Sequence, residues 1–288
     1  MMTTAYKGDI VFAPTPDCFQ TLEDGYVVVE NGRVKRVCAS LPQDSQDITV
    51  VDRSGHLIIP AFNDLHVHAP QYPLAGLGFD YELLPWLEKY TFKAESKYAD
   101  IDVADHWYRR FITKLWDNGT LRFSAFATLH NEATLRLMEL CQESGLRPVI
   151  GKVNMDRNSP DYLVEDTDAS LAGTAELITK SKKLTPDIGF IITPRFVPST
   201  TPELMAGLGE LAERYHLPVQ SHLDENRGEI QWVHELHPDI PTYTEVYEHY
   251  GLMPDGRTIM AHCVWLTDRE RRILKEHDVW LTHCAESN

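Results

Sequence analysis

The chain has 288 residues, of which 43% are hydrophobic and 24% are charged, a composition typical of a folded globular protein rather than a disordered one. Its formal net charge of −16 argues against nucleic acid or an anionic membrane surface as the main partner, because phosphate groups are bound by clustered cations. A small neutral or cationic ligand suits this charge better. The N-terminus lacks the apolar core of a signal peptide, and no apolar run approaches the ~20 residues of a membrane span, so we expect a cytoplasmic protein.

The five cysteines are odd in number, widely spaced and never arranged as Cys-x-x-Cys. This pattern argues against a disulfide framework and against a zinc site built from thiolates. We therefore expect any metal ion in this protein to be held by imidazole and carboxylate groups.

Residues 1–56 alternate short β-rich runs with turns. The predicted strands are 9–12, 26–30, 33–38 and 49–52, and Asn31-Gly32 between the second and third is typical of a tight hairpin turn. These residues predict a small antiparallel unit.

From residue 57 onward, apolar runs alternate with helical segments. The predicted strands are 57–68, 121–130, 147–153, 188–196, 217–223, 258–263 and 279–284. Continuous apolar runs of this length are typical of parallel strands that are covered on both faces. Thr201-Pro202 and the pair Thr267 and Glu270 have the residue types that begin helices. The alternation predicts an α/β fold with a TIM-like (β/α)8 barrel over residues 57–288.

A barrel of this type has eight strands, and the sequence supplies seven before it ends at Asn288. An open sheet of seven strands would expose unpaired apolar edges. We therefore expect the barrel to be incomplete and the chain to be a fragment or the product of a shortened reading frame.

Histidines occupy the carboxyl ends of several predicted strands, where barrel enzymes place their chemistry. His66 and His68 are two residues apart in a strand, so their side chains point to the same side. With His222 they form a three-imidazole set that suits zinc or iron. Glu225, just past the same strand end as His222, is placed to act as a general acid and base, although a carboxylate at a helix N-terminus also has a purely structural role.

Further polar residues lie at the ends of other predicted strands. His262 suits a second polar contact to the reacting groups or a purely structural place in the interior, and His283, at the end of the last predicted strand, has equal claims to a functional and a structural role. Arg195 beside Phe196 suits a flat heterocycle, because a guanidinium donates to a carbonyl and an aromatic ring stacks on a ring. Gln71 carries both a donor and an acceptor and suits the edge of a purine.

These motifs together resemble the amidohydrolase superfamily, and within it the guanine deaminase branch. The likeness runs from about residue 57 to the end, through segments 68–72, 86–92, 151–156, 193–196 and 221–226. The resemblance implies a barrel joined to a small β-sandwich, of which residues 1–56 would be the N-terminal part. It also implies a homodimer and guanine as a small-molecule substrate. It implies one zinc ion on His66, His68 and His222, Glu225 and His262 as catalytic residues, and Gln71, Arg195, Phe196 and Glu225 as the guanine-binding set.

The implied reaction is hydrolysis of guanine at C2 to xanthine and ammonia, with Glu225 carrying a proton from the attacking water to the ring. Two features depart from the family pattern: Ala285 replaces a familiar proline, and the aspartate that usually follows the eighth strand has no counterpart. Two other functions therefore stay open. One is an amidohydrolase acting on another amino-heterocycle, such as a pterin or a triazine, and the other is a catalytically inactive truncated product.

Overall fold

The computed structural model describes residues 3–41, 47–78 and 80–288. Contacts between residues divide the chain into two compact units, Met1–Phe62 and Asn63–Asn288. Within the described part of the chain, no helix is both long and apolar enough to cross a membrane.

The first unit is a four-stranded sheet in the order β3-β2-β1-β4. Its strands are β1 (Thr3–Thr15), β2 (Cys18–Glu30), β3 (Arg33–Cys38) and β4 (Ile48–Ile58). The predicted hairpin is confirmed: β2 and β3 are antiparallel, and both turn residues have positive φ, 51° at Asn31 and 76° at Gly32. The expectation of an entirely antiparallel unit was wrong. β4 pairs in parallel with β1, because the chain crosses from β3 to the opposite edge of the sheet, where no tight hairpin can reach.

The boundary predicted between residues 56 and 57 falls inside β4, which pairs with β1 as far as Ile58. The strand predicted over 57–68 is therefore two elements, and the second begins at Phe62. Pro60 lies between them. It has no N–H to donate to a sheet, which accounts for the interruption.

The second unit alternates strands with helices. Its strands are β5 (Phe62–His68), β6 (Thr120–Phe126), β7 (Val149–Gly151), β8 (Val153–Asn154), β9 (Gly189–Phe190), β10 (Thr193–Pro194), β11 (Val219–Leu223), β12 (Thr258–His262) and β13 (Trp280–Thr282). Its α-helices are α1 (Leu83–Trp86), α2 (Phe92–Glu95), α3 (Ile101–Asp117), α4 (Asn131–Ser144), α5 (Thr167–Ser181), α6 (Pro202–Tyr215), α7 (Arg227–Leu236), α8 (Tyr243–His249) and α9 (Asp268–Glu276). A π-helix over Leu87–Thr91 joins α1 to α2, and 3-10 turns cover Ala69–Leu74, Ser96–Ala99, Asp161–Leu163 and Val197–Ser199.

Neighbouring strands of this unit follow the order of the chain. The sheets run β5-β6-β7-β9, β10-β8 and β11-β12-β13, and a parallel bridge between Ile192 and Val219 links the strand region before β10 to β11. The pairs β6–β7, β7–β9, β8–β10, β11–β12 and β12–β13 are all parallel. The α/β class with parallel strands is thus confirmed, and the incomplete TIM-like barrel with seven of eight strands stays a prediction.

Helix boundaries are where the capping residues place them. Thr201, the residue before Pro202, accepts a hydrogen bond from the Leu204 amide, and Thr267 and Glu270 form a reciprocal capping box.

Buried polar side chains connect the strands to one another. Gln220 on β11 donates to the Ala125 carbonyl and to Thr193 Oγ1, both at 2.9 Å. These two bonds connect β11 to β6 and to β10, strands of different sheets, and so help to hold the strand ends in place.

Candidate active site

A cavity of about 380 Å³ opens at the carboxyl ends of β5, β11 and β12. All eight residues that the sequence predicted for the site line it: His66, His68, Gln71, Arg195, Phe196, His222, Glu225 and His262. His283 is not among the lining residues and is exposed. Parallel pairing of β11 with β12 explains the convergence, because Leu223 lies beside His262 and both strands end at the same level.

Three imidazoles that line this cavity lie close together. His68 Nε2 and His222 Nε2 are 2.9 Å apart, and one ring nitrogen from each of His66, His68 and His222 lies within 4.8 Å of the other two. Burial lowers the pKa of all three side chains, to about 3 for His66, where the nearby His262 and Arg195 charges add to the effect. All three are therefore neutral near pH 7, the form in which imidazole binds a metal ion.

The neighbours of the three rings hold them in place. His222 Nδ1 lies 2.6 Å from the Arg195 carbonyl, which orients Nε2 of the same ring toward His68. Phe126 stacks on His68 with ring centroids 4.5 Å apart. A metal-bound histidine is oriented in this way, with its second nitrogen on a backbone carbonyl.

This donor set fits a metal ion. Two imidazole nitrogens on one tetrahedral zinc ion lie roughly 3.3 Å apart, close to the separation of the His68 and His222 nitrogens. Among the described residues, His68 Nδ1 is buried and has no hydrogen-bond partner, so the ring makes its polar contacts through Nε2. His66, His68 and His222 are accordingly the residues that would hold the ion.

Glu225 and His262 face each other beside the imidazoles, with His262 Nε2 3.5 Å from Glu225 Oε2. Burial, reinforced by the carboxylate of Glu229, raises the pKa of Glu225 to about 8. His262 Nδ1 is 2.8 Å from Asn288 Oδ1. The backbone at the strand ends is strained, with φ of 50° at Asp224 and 71° at His262, and strain of this kind is concentrated at functional sites.

Arg195 lies on the wall of the cavity and is 2% exposed. Its Nη1 and Nη2 donate to the two carboxylate oxygens of Glu95 at 2.6 and 3.2 Å, and Gln71 Nε2 donates to Glu95 Oε1 at 2.9 Å. Phe196 is buried at the same wall. Glu95 was not among the predicted site residues, because a single carboxylate on a short helix is usually solvated.

Phe126 and Cys284 were also missed as neighbours of the site. Phe126 read as an ordinary strand residue. Cys284 is the last residue of a predicted strand, beside His283, and this position was a usable signal for its place in the cavity lining.

Comparison with known proteins defines the family. The model of the Amidohydrolase family matches residues 57–288. The chain belongs to the amidohydrolase family. Over 256 residues, this amidohydrolase is 43% identical to a guanine deaminase of Dictyostelium discoideum, covering 88% of the chain and 56% of that relative. It is 37% identical to a guanine deaminase of Escherichia coli, covering 93% of the chain and 61% of the relative.

The crystal structure of a guanine deaminase from C. acetobutylicum with guanine bound in its active site superposes with a TM-score of 0.96. It is 44% identical, over 98% of this chain and 67% of that one. This superposition shows that the chain has the fold of that enzyme over the shared region. The chain spans about half the length of the curated relatives it matches.

Proposed function

We propose that this protein catalyses the zinc-dependent hydrolytic deamination of guanine, converting guanine and water to xanthine and ammonia. The observation that carries the proposal is one cavity that joins two sets of residues. His66, His68 and His222 line one cavity together with Arg195 and Gln71, which we call the polar wall of the cavity. The chain's similarity to guanine deaminases supports the same reaction.

The cavity wall has the chemistry of a binding site for an oxo-purine. Arg195 keeps N–H groups for a ring carbonyl, Gln71 offers an amide to a ring edge, and Phe196 provides an apolar face for a planar ligand. A volume of about 380 Å³ is at the lower end of small-molecule sites, which suits a single bicyclic base.

Zinc is the ion we propose for the three imidazoles, with iron as the alternative. When bound there, zinc would lower the pKa of water toward neutrality and so supply a nucleophile. Glu225, within 3.5 Å of His262, would move a proton from that water to the purine ring. His262 would hydrogen-bond the oxygen of the attacking water, and the amino group would leave as ammonia after taking up the second proton of that water.

The proposal is tested by loading the purified protein with zinc and measuring ammonia and xanthine formation from guanine. Metal content is measured before and after loading, and iron-loaded protein is assayed in parallel. His68→Ala should lose metal and turnover, while the control His234→Ala, an exposed histidine on α7, should keep both. Turnover of a pterin or triazine without turnover of guanine would replace the proposed substrate, and a protein that binds no metal would refute the enzyme function altogether.

The homodimer implied by the family resemblance is also a proposal. Light scattering of the same preparation measures the mass in solution. A monomeric mass would refute it without affecting the proposed reaction.

A further inference from the structure

Glu95 contacts both polar side chains of the cavity wall. It lies at the end of α2 and is 2% exposed. Arg195 donates to both of its oxygens, and Gln71 donates to one of them. A buried carboxylate with these two partners is in a position to determine what the wall presents to a ligand.

The first consequence concerns Gln71. A carboxylate has only lone pairs, so the end of the Gln71 amide that meets Glu95 must be the NH₂ group. Nε2 lies 2.9 Å from Glu95 Oε1, and among the described residues no protein donor is bonded to Gln71 Oε1. The amide therefore presents its carbonyl oxygen, an acceptor, to the cavity that it lines. Without a carboxylate at position 95, the Gln71 amide could turn either its oxygen or its NH₂ group toward the cavity with little difference in energy.

The second consequence concerns Arg195. Two of its five N–H groups point to Glu95, and within the described part of the chain the other three have no side-chain or backbone acceptor. Phe92, on the same helical segment as Glu95, holds the guanidinium from another side at 5.5 Å from its ring centroid. Because Glu95 compensates the charge of Arg195, the wall offers hydrogen-bond donors to a neutral ligand without the cost of an isolated buried cation.

We propose that Glu95 is the positioning residue that determines base specificity, by setting the wall to accept a hydrogen bond through Gln71 and to donate through Arg195. A 6-oxopurine carries a carbonyl oxygen next to a ring N–H and matches this pattern. A 6-aminopurine carries an amino donor next to a ring acceptor and reverses it. The inference rests on the proposed function for the assumption that the ligand is a purine.

The test compares wild type with Glu95→Gln, which keeps the shape and removes the obligatory acceptor. Both proteins are loaded with zinc, and calorimetry measures the affinity for hypoxanthine and adenine, which differ at C6. Guanine turnover gives kcat and KM separately. Wild type should prefer hypoxanthine by about 10- to 100-fold, and Glu95→Gln should lose most of that preference and raise KM for guanine about tenfold with a smaller change in kcat.

Two further variants separate a change in base preference from a loss of structure. Glu88→Gln, an exposed carboxylate in the π-helix next to α2, is the control and should leave the preference unchanged. The exchanged pair Gln71→Glu with Glu95→Gln again presents an oxygen at position 71 and should regain the preference for the oxo base, whereas a merely structural role for Glu95 predicts no recovery. Thermal melting identifies any variant that fails to fold.

A wild-type protein that binds hypoxanthine and adenine equally would overturn the role of Glu95, whether or not guanine is deaminated. An unchanged preference in folded Glu95→Gln would overturn it as well. Absence of guanine turnover together with a clear preference for hypoxanthine would refute the proposed reaction and leave the role of Glu95 supported.

Discussion

Glu229 gives the sharpest prediction about stability. Its side chain is completely buried. It accepts hydrogen bonds from Tyr243 Oη at 2.7 Å and from the amides of Glu225 and Asn226, both at 3.2 Å. Burial raises its pKa from 4.5 to about 7, against the opposing effect of these three donors. Replacing it with glutamine keeps the shape and removes the ability to ionise.

The sign of the pH dependence follows from the raised pKa. Below pH 4.5 the Glu229 carboxyl group is protonated in both the folded and the unfolded form, so its ionisation does not change the free energy of unfolding. Between pH 4.5 and about 7 only the unfolded form ionises, so the free energy of unfolding falls as pH rises. Above pH 7 the full penalty is present, and a shift of this size corresponds to about 3 kcal/mol.

Glu229→Gln should therefore be close to wild type at pH 5 and more stable by about 3 kcal/mol at pH 8, because a glutamine carbonyl can accept both backbone bonds and its NH₂ can donate to Tyr243. Urea unfolding followed by circular dichroism at pH 5, 6, 7 and 8 measures the difference. Glu235→Gln, an exposed residue on the same helix, is the control and should show no such trend. If the stability difference between Glu229→Gln and wild type were the same at pH 5 and pH 8, the raised pKa of Glu229 would be refuted.

Three further predictions concern the site and its support. Glu225→Gln should keep its zinc and lose kcat by about 100- to 10,000-fold, and near-normal turnover would remove Glu225 from proton transfer. Chelation of the metal should lower the melting temperature of wild type, because bound metal contributes up to about 4 kcal/mol of stability when its free concentration is about a thousand times its Kd. The melting temperature of His68→Ala should not change on chelation, and equal effects on both proteins would argue against binding at the imidazoles. Gly151→Ala should unfold at lower urea than wild type, because the added methyl group would overlap Thr193 Oγ1 and the Ile191 carbonyl, whereas Gly228→Ala, which meets only Asn226 Oδ1 at 3.1 Å, should be close to wild type.

The family of this chain and much of its site were predictable because they depend on short-range patterns. The spacing of His66 and His68 fixes both side chains on one side of a strand. The alternation of apolar runs with capped helices predicted the parallel strands, and parallel strands bring their carboxyl ends to one edge. Those two local facts were enough to place His222, Glu225, Arg195 and His262 near the same point.

What the sequence did not determine was the set of partners that reach the site from distant elements. Glu95 lies 100 residues before Arg195, on a short helix without a pattern of its own, and only the folded chain shows that it binds Arg195 and Gln71. The raised pKa values of Glu225 and Glu229 depend on burial, which is a property of the surrounding atoms. Residue type and spacing thus determined which groups could act in this protein, while tertiary packing decided how each of them is oriented and charged, because hydrogen-bond partners and desolvation come from residues that are remote in sequence.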